Sequence, residues 1–349
     1  MKRKTVTTLL QLVIFAAIGG GIVWYMLAHM SLEDRRTMVS SIKRTNLLWM
    51  LPFFGSFLLS HWARAKRWML MLDPVGIHPK TANTVFAVLV GYLVNLIPPR
   101  AGEVAKCTIL ARYEKMPADK MIGTIVAERS FDVICLLLVI GAAIFWQGDA
   151  LNDYLTGELR GRTPSTGSLL LSACIISLVV GVLIVIYRRN KTSRVGRFIG
   201  GLGAGFTSIF HLRKKGLFLL YTVLIWGMYI AQVIFGFTAM PATSHLGTGE
   251  ALMTLIFGSV AIIAAPGGIG LYPLLVGKLL HYAYGLSLPD ANAFGWVSWV
   301  ALTMATLVCG VASLLLLPLY NRQPHDSQAP VDPGPEIRII SESDDRIHH

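Results

Sequence analysis

Residues 82–112 read ANTVFAVLVGYLVNLIPPRAGEVAKCTILAR, and the way this stretch is folded decides the architecture. Ala82–Ile97 is apolar but only about 24 Å long as a helix, at 1.5 Å per residue. A bilayer core is about 30 Å thick. Pro98-Pro99 then forbids a continuing helix, and Arg100–Arg112 leads away again, carrying Arg100, Glu103 and Lys106. A segment that enters the membrane, breaks at Pro-Pro and returns on the same side satisfies all three constraints.

The rest of the chain supplies the membrane around that hairpin. Of 349 residues, 54% are hydrophobic and 14% charged, against about 25% charged in soluble domains. The apolar residues form long runs: Thr7–Leu27, Leu47–Ser60, Met121–Phe145, Leu169–Tyr187, Leu217–Met240 and Ala293–Leu319. Each is close to the roughly 20 residues of a spanning helix. Lys2-Arg3-Lys4 before the first run resembles a signal peptide, but the run is long and lacks a cleavage site, so it is expected to be retained. The net charge of +12 sits in short loops, as expected for orientation in the membrane and not for nucleic acid. Cys107, Cys135, Cys174 and Cys309 have no CxxC spacing and read as small apolar residues.

Cytoplasmic loops are enriched in Lys and Arg. That places the N-terminal triplet, His61–Lys80 (with Arg64, Lys66, Arg67 and Lys80) and Arg188–Lys215 inside, and Gln147–Ser168 outside. Thr81–Lys120 then begins and ends inside. The second half repeats the plan from the other face. Ala251–Ala265 dips in, stops at Pro266-Gly267-Gly268, and Ile269–Tyr284 returns. The expected fold is an all-α polytopic membrane helix bundle with two inverted repeats, each containing a re-entrant helical hairpin, and about six full crossings. The membrane domain is expected over residues 1–320, its halves 1–145 and 169–320, with 321–349 a disordered cytoplasmic tail. Both termini are expected inside. Arg35, Arg36, Lys43 and Arg44 run against this, because they fall in the first external loop, only partly offset by Glu33 and Asp34.

Three segments carry candidate chemistry. In Ile97–Glu103, Arg100 and Glu103 lie three apart after a forced break, beside Gly102. Free backbone N–H groups there favour an anion, and Arg100 suits a phosphate. The alternative is a solvated salt bridge at a cytoplasmic turn. In Val126–Val133, Glu128, Arg129 and Asp132 lie within an apolar helix. Ionisable groups in membranes usually face an interior or a cavity. They either contact substrate or lock helices together as ion pairs. In Ala265–Pro273, Gly267, Gly268 and Gly270 permit a tight turn beside Tyr272. The turn either offers backbone to a headgroup or simply packs. No metal, cofactor or catalytic residue is expected.

The Pro-Pro-Arg-Ala-Gly-Glu and Glu-Arg-Ser-Phe-Asp motifs between Ile97 and Asp132, followed by Pro-Gly-Gly-Ile-Gly at 266–270, resemble the lysylphosphatidylglycerol synthase transmembrane region. The similarity covers most of Thr7–Leu319. Pro99 stands where that family commonly has glycine. The resemblance implies a flippase-like protein that moves lipids between leaflets of a bacterial cytoplasmic or inner membrane. From the residue readings above, Arg100, Gly102, Glu103, Lys106, Glu128, Arg129, Asp132, Gly267, Gly268, Gly270 and Tyr272 are the expected substrate-binding set. In bifunctional members a soluble aminoacyltransferase domain follows; here 29 residues follow Tyr320, so lipid lysylation is not expected. An anionic phospholipid or polyprenyl-phosphate lipid is the expected partner, with the bilayer and an enzyme that makes the lipid. An intramembrane enzyme of lipid-linked glycan synthesis and a non-transporting accessory subunit remain as alternatives.

Overall fold

The computed structural model describes residues 17, 19–26, 28–96, 101–158 and 212–322. They are helical throughout, with no strand among the described residues. Residues 19–26 form α1. Then follow α2 (Leu32–Lys43), α3 (Met50–Leu72), α4 (Thr81–Asn95), α5 (Ala101–Glu114) and α6 (Ala118–Glu158). After the gap come α7 (Lys215–Ala239), α8 (Thr248–Ala264), α9 (Leu271–Tyr284) and α10 (Leu288–Tyr320). The expected span Leu169–Tyr187, most of the basic loop Arg188–Lys215 and the tail beyond Arg322 lie outside the described residues.

Three helical stretches are long and apolar enough to cross a membrane: Lys120–Thr156, Lys215–Ala239 and Leu288–Tyr320. Their apolar side chains point outward. Phe145 is 89% exposed, and Val308, Val311 and Leu315 line the outer face of α10. That inverted exposure suits a lipid solvent, because nothing polar is left to bond to. Helices α4 and α8 are apolar but shorter.

Two sequence expectations need correction. The second span was expected to end at Ser60, with Arg64 and Arg67 in a cytoplasmic loop. Instead α3 continues three more turns to Leu72. Nothing between Gly55 and Asp73-Pro74 stops it, and both arginines find carboxylate partners inside the protein. Likewise Gln147–Ser168 was expected to be loop, yet α6 runs on to Glu158 past a kink at Gln147 (φ −131°, ψ 27°). Cys107, Cys135 and Cys309 are free and buried, as expected of small apolar residues.

Helix α4 packs on α5, α8 on α9, α3 along α7, and α10 on both α4 and α9. The start of α4 meets the ends of α5 and α10. Lys80 N–H donates to Glu114 at 3.0 Å, and the amides of Asn83 and Asn321 exchange bonds of 2.9 and 2.8 Å. At the other end of α10, Asp290 accepts from Ser41 of α2, and Asn46 N–H donates to the carbonyl of Ala239 at 2.7 Å. Between these two ends the breaks of the two helix pairs touch. A Cβ on Gly267 would sit 3.5 Å from the side chain of Leu96, the last described residue before the first break.

Candidate functional site

The three helices α3, α5 and α6 converge on a buried set of charges. Glu128 has no solvent exposure. Its carboxylate takes Lys106 Nζ at 2.5 Å on one oxygen. On the other it takes Arg64 at 3.0 Å, with Arg67 and Arg129 each at 3.7 Å. One turn on, Asp132 accepts from Arg67 at 2.5 Å and from Arg64 at 2.8 Å. Arg64 also donates to the Tyr229 hydroxyl on α7 at 2.9 Å. Arg129 reaches back across α5 to Glu103 at 2.9 Å.

Each charge has its place for a local reason. Arg64 and Arg67 are three apart, so both project from one face of α3. Trp68, fully buried beside them, donates its indole N–H to Thr124 of α6 at 2.9 Å and fixes that helix against α3. The Lys106 ammonium lies 4.4 Å from the centre of the same ring. A single buried ion costs several kcal/mol to desolvate, and a buried pair offsets this only with good geometry and further bonds. Here four cations (Arg64, Arg67, Lys106, Arg129) share three carboxylates (Glu103, Glu128, Asp132), so the set retains one positive charge.

The set is closed on the Asp132 side and open on the Glu103 side. A cleft of only about 10 Å³, room for about one water, is lined there by Arg64, Tyr92, Asn95, Gly102, Glu103, Lys106 and Arg129, so a larger ligand needs α4 and α5 to part. Its depth depends on how closely α4 and α5 approach. A Cβ on Gly91 would lie 2.8 Å from the Gly102 carbonyl oxygen, and one on Gly102 would fall on the Gly91 carbonyl oxygen. The Gly102 N–H donates to the Asn95 side chain at 2.8 Å. The cleft therefore ends at the first turn of α5, immediately beside the break.

Six of the residues singled out from sequence come together here: Gly102, Glu103, Lys106, Glu128, Arg129 and Asp132. Arg100 lies outside the described residues. The pairing of Arg129 with Asp132 along α6 exists at 3.6 Å, but the shorter partners of Asp132 come from α3. Gly267, Gly268, Gly270 and Tyr272 are elsewhere, in and after the turn between α8 and α9. All three glycines have positive φ (61°, 68° and 71°). The Gly267 carbonyl accepts from the Trp299 indole at 2.8 Å. Tyr272 is buried, its ring against Gly258 of α8. Sequence reading missed Arg64, Arg67, Tyr92 and Tyr229. The available signal was a pair of acids in an apolar helix with one arginine near them, and two arginines ending a neighbouring apolar run.

Residues 9–291 match the family model described as Lysylphosphatidylglycerol synthase TM region. The chain belongs to that family. The matched segment contains the whole charge set and both breaks, so the resemblance drawn from the Pro-Pro-Arg and Pro-Gly-Gly motifs holds. The chain is thus a membrane protein of the lysylphosphatidylglycerol synthase transmembrane family. No curated protein and no solved structure matches it.

Proposed function

We propose that the protein is a lipid translocase that moves an anionic phospholipid or a polyprenyl-phosphate lipid between leaflets, with the cleft as its headgroup site. The observation that carries this is the buried charge set, which keeps one positive charge and opens beside a helix break. A phosphate there meets the exposed part of Arg129 and the Asn95 amide, and Arg100, next in sequence to the first residue of α5, is the further guanidinium proposed for it. Guanidinium groups bind phosphate through paired, charge-assisted hydrogen bonds.

In this reading α4–α5 and α8–α9 are re-entrant hairpins entering from opposite faces, as in inverted-repeat transporters. Support comes from their lengths, from the positions of their ends along α10, and from the meeting of Leu96 with Gly267. The membrane is the bacterial cytoplasmic or inner membrane, with six crossings and both termini inside. Gly267, Gly268, Gly270 and Tyr272 form the second break, which in this reading braces the first at Leu96 without touching the lipid. An enzyme that makes the lipid is the natural partner. Glu128 and Asp132, the carboxylates an intramembrane enzyme would need for a divalent cation, are occupied by arginines and a lysine, which favours translocation over that alternative.

The test is movement of fluorescent phosphatidylglycerol between leaflets of vesicles holding the purified protein, read by dithionite quenching. The parent should scramble the lipid. Arg100→Ala and Arg129→Gln should each slow it at least about tenfold, the loss of one charge-assisted hydrogen bond of roughly 1.5–3 kcal/mol. Arg129→Lys, which keeps charge but not the planar fork, should fall between. Folded variants that scramble at the parental rate would end this reading.

A further inference from the structure

Helix α2 carries the cations that fit no orientation rule. Its wheel divides into two faces. Met38 is buried against the core around α9 and α10, and Ser41 bonds to Asp290. The opposite face presents Leu32, Arg36, Val39 and Lys43, with Arg44 just beyond. These residues, with Arg35 and Ser40, line an open groove. Leu32 is 73% exposed and Val39 45%. The acids of the first turn do not neutralise the groove. Asp34 is engaged with Ser31, the N-cap residue, whose hydroxyl donates to its carboxylate at 2.8 Å and accepts from its backbone N–H at 3.1 Å, and Glu33 is not among the lining residues.

The surroundings suit a position at the surface of the bilayer. Trp24 and Tyr25 are exposed at the end of α1, and Trp49 stands where α3 begins. Tryptophan and tyrosine gather at the level of lipid headgroups. Beyond Trp49, exposed Leu51 continues into the apolar span. A short amphipathic helix with basic and apolar residues on one face, flanked by such aromatics, lies in the interface plane. Its cations are then at phosphate height and its leucine and valine at the depth of the first acyl carbons.

We propose that the outer face of α2 is a binding site for an anionic phospholipid of the leaflet it lies on, separate from the translocation cleft and independent of that reading. Arg36, Lys43 and Arg44 take the phosphate and glycerol end, and Leu32 and Val39 take the chains. This accounts for three of the four basic residues in a loop that orientation alone leaves unexplained: Arg36, Lys43 and Arg44 are ligands and not orientation signals. The occupant is a lipid and not a free anion, because apolar and cationic side chains alternate along the same groove.

The experiment is native mass spectrometry of the purified, delipidated protein titrated with dioleoylphosphatidylglycerol, and separately with dioleoylphosphatidylcholine. Arg36→Gln/Lys43→Gln/Arg44→Gln should lose one tightly held phosphatidylglycerol, with at least about tenfold weaker binding, and bind phosphatidylcholine as before. Arg36→Lys/Arg44→Lys should keep the preference, which separates loss of charge from damage to the fold. Equal phosphatidylglycerol binding by parent and triple variant overturns the proposal. So does displacement of that lipid by millimolar inorganic phosphate, which would make it a free-anion site. Loss of a dimer in the triple variant, with lipid binding unchanged, would assign the face to a second copy of the chain and overturn it equally.

Discussion

The two broken helix pairs solve one problem with different materials. Both interrupt a helix, and both bring backbones close through glycine. In α8–α9 the break is satisfied locally. Gly267, Gly268 and Gly270 take positive φ, the Trp299 indole bonds to the freed Gly267 carbonyl, and Gly270 packs on the carbonyl of Gly19 in α1. No charge is needed. In α4–α5 the same kind of interruption is flanked by Glu103, Lys106 and Arg129 and backed by Arg64 and Glu128. A chain break in a membrane protein therefore does not require charges. Their presence at one break and absence at the other is why the proposed headgroup site lies at the first.

The comparison is most exposed at Glu128. Glu128→Gln leaves Lys106, Arg64 and Arg67 with a neutral partner at full burial. Removing one member of a buried ionic set typically costs about 3–5 kcal/mol, so the thermal unfolding midpoint in detergent should drop more than for any single change in α8–α9. A midpoint within error of the parent would show that the set is not holding α3, α5 and α6 together.

Glycine contacts sharpen the contrast next. The added methyl of Gly102→Ala falls on backbone, the Gly91 carbonyl, and forces α4 from α5. Such overpacking costs about 1–3 kcal/mol, and lipid movement should fall with it, because the cleft wall moves. In Gly258→Ala the methyl meets the Tyr272 ring at 2.6 Å. A ring is able to turn, so both stability and transport should change less. Equal transport loss from the two would mean that the second pair also lines the path.

Smaller effects test the second turn alone. Gly268→Ala forces a left-handed backbone on a residue with a side chain, at about 1–2 kcal/mol. Trp299→Phe removes one neutral hydrogen bond, about 0.5–1.5 kcal/mol. Unfolding curves should rank them in that order, with scrambling rates near parental for both. A large transport loss from Trp299→Phe at nearly full stability would assign the Gly267 carbonyl to the lipid path.

The short apolar runs, the interruption between Asn95 and Ala101 and the turn at Pro266-Gly267 were legible because proline and glycine act locally. So were the acids of α6, since charge in an apolar run stands out whatever surrounds it. The partners of those acids were not. Arg64 and Arg67 looked like the basic end of a span, and a count of positive charges treats a buried arginine and a solvated one alike. Only the packing of α3 on α6, fixed by Trp68 and Thr124, turns them inward. The outcome for Tyr272 was hidden for a related reason: its aromatic ring suits a headgroup or a glycine face equally, and Gly258 lies fourteen residues earlier, on the other arm of the pair.

Helix α10 has 33 residues, about 50 Å at 1.5 Å per residue. Its first turn is fastened to α2 through Asp290, and its far end to α4 through Asn321. Along its length, Trp299 holds one break and Gly310 seats Leu93 of α4. A rod tethered at both ends resists sliding but still permits rotation. Mechanically, the two helix pairs share one axle. For the proposed translocation, these tethers favour a tilt of the pairs about α10, with the Asn83–Asn321 amide pair as the bearing at one end and Ser41–Asp290 as the bearing at the other.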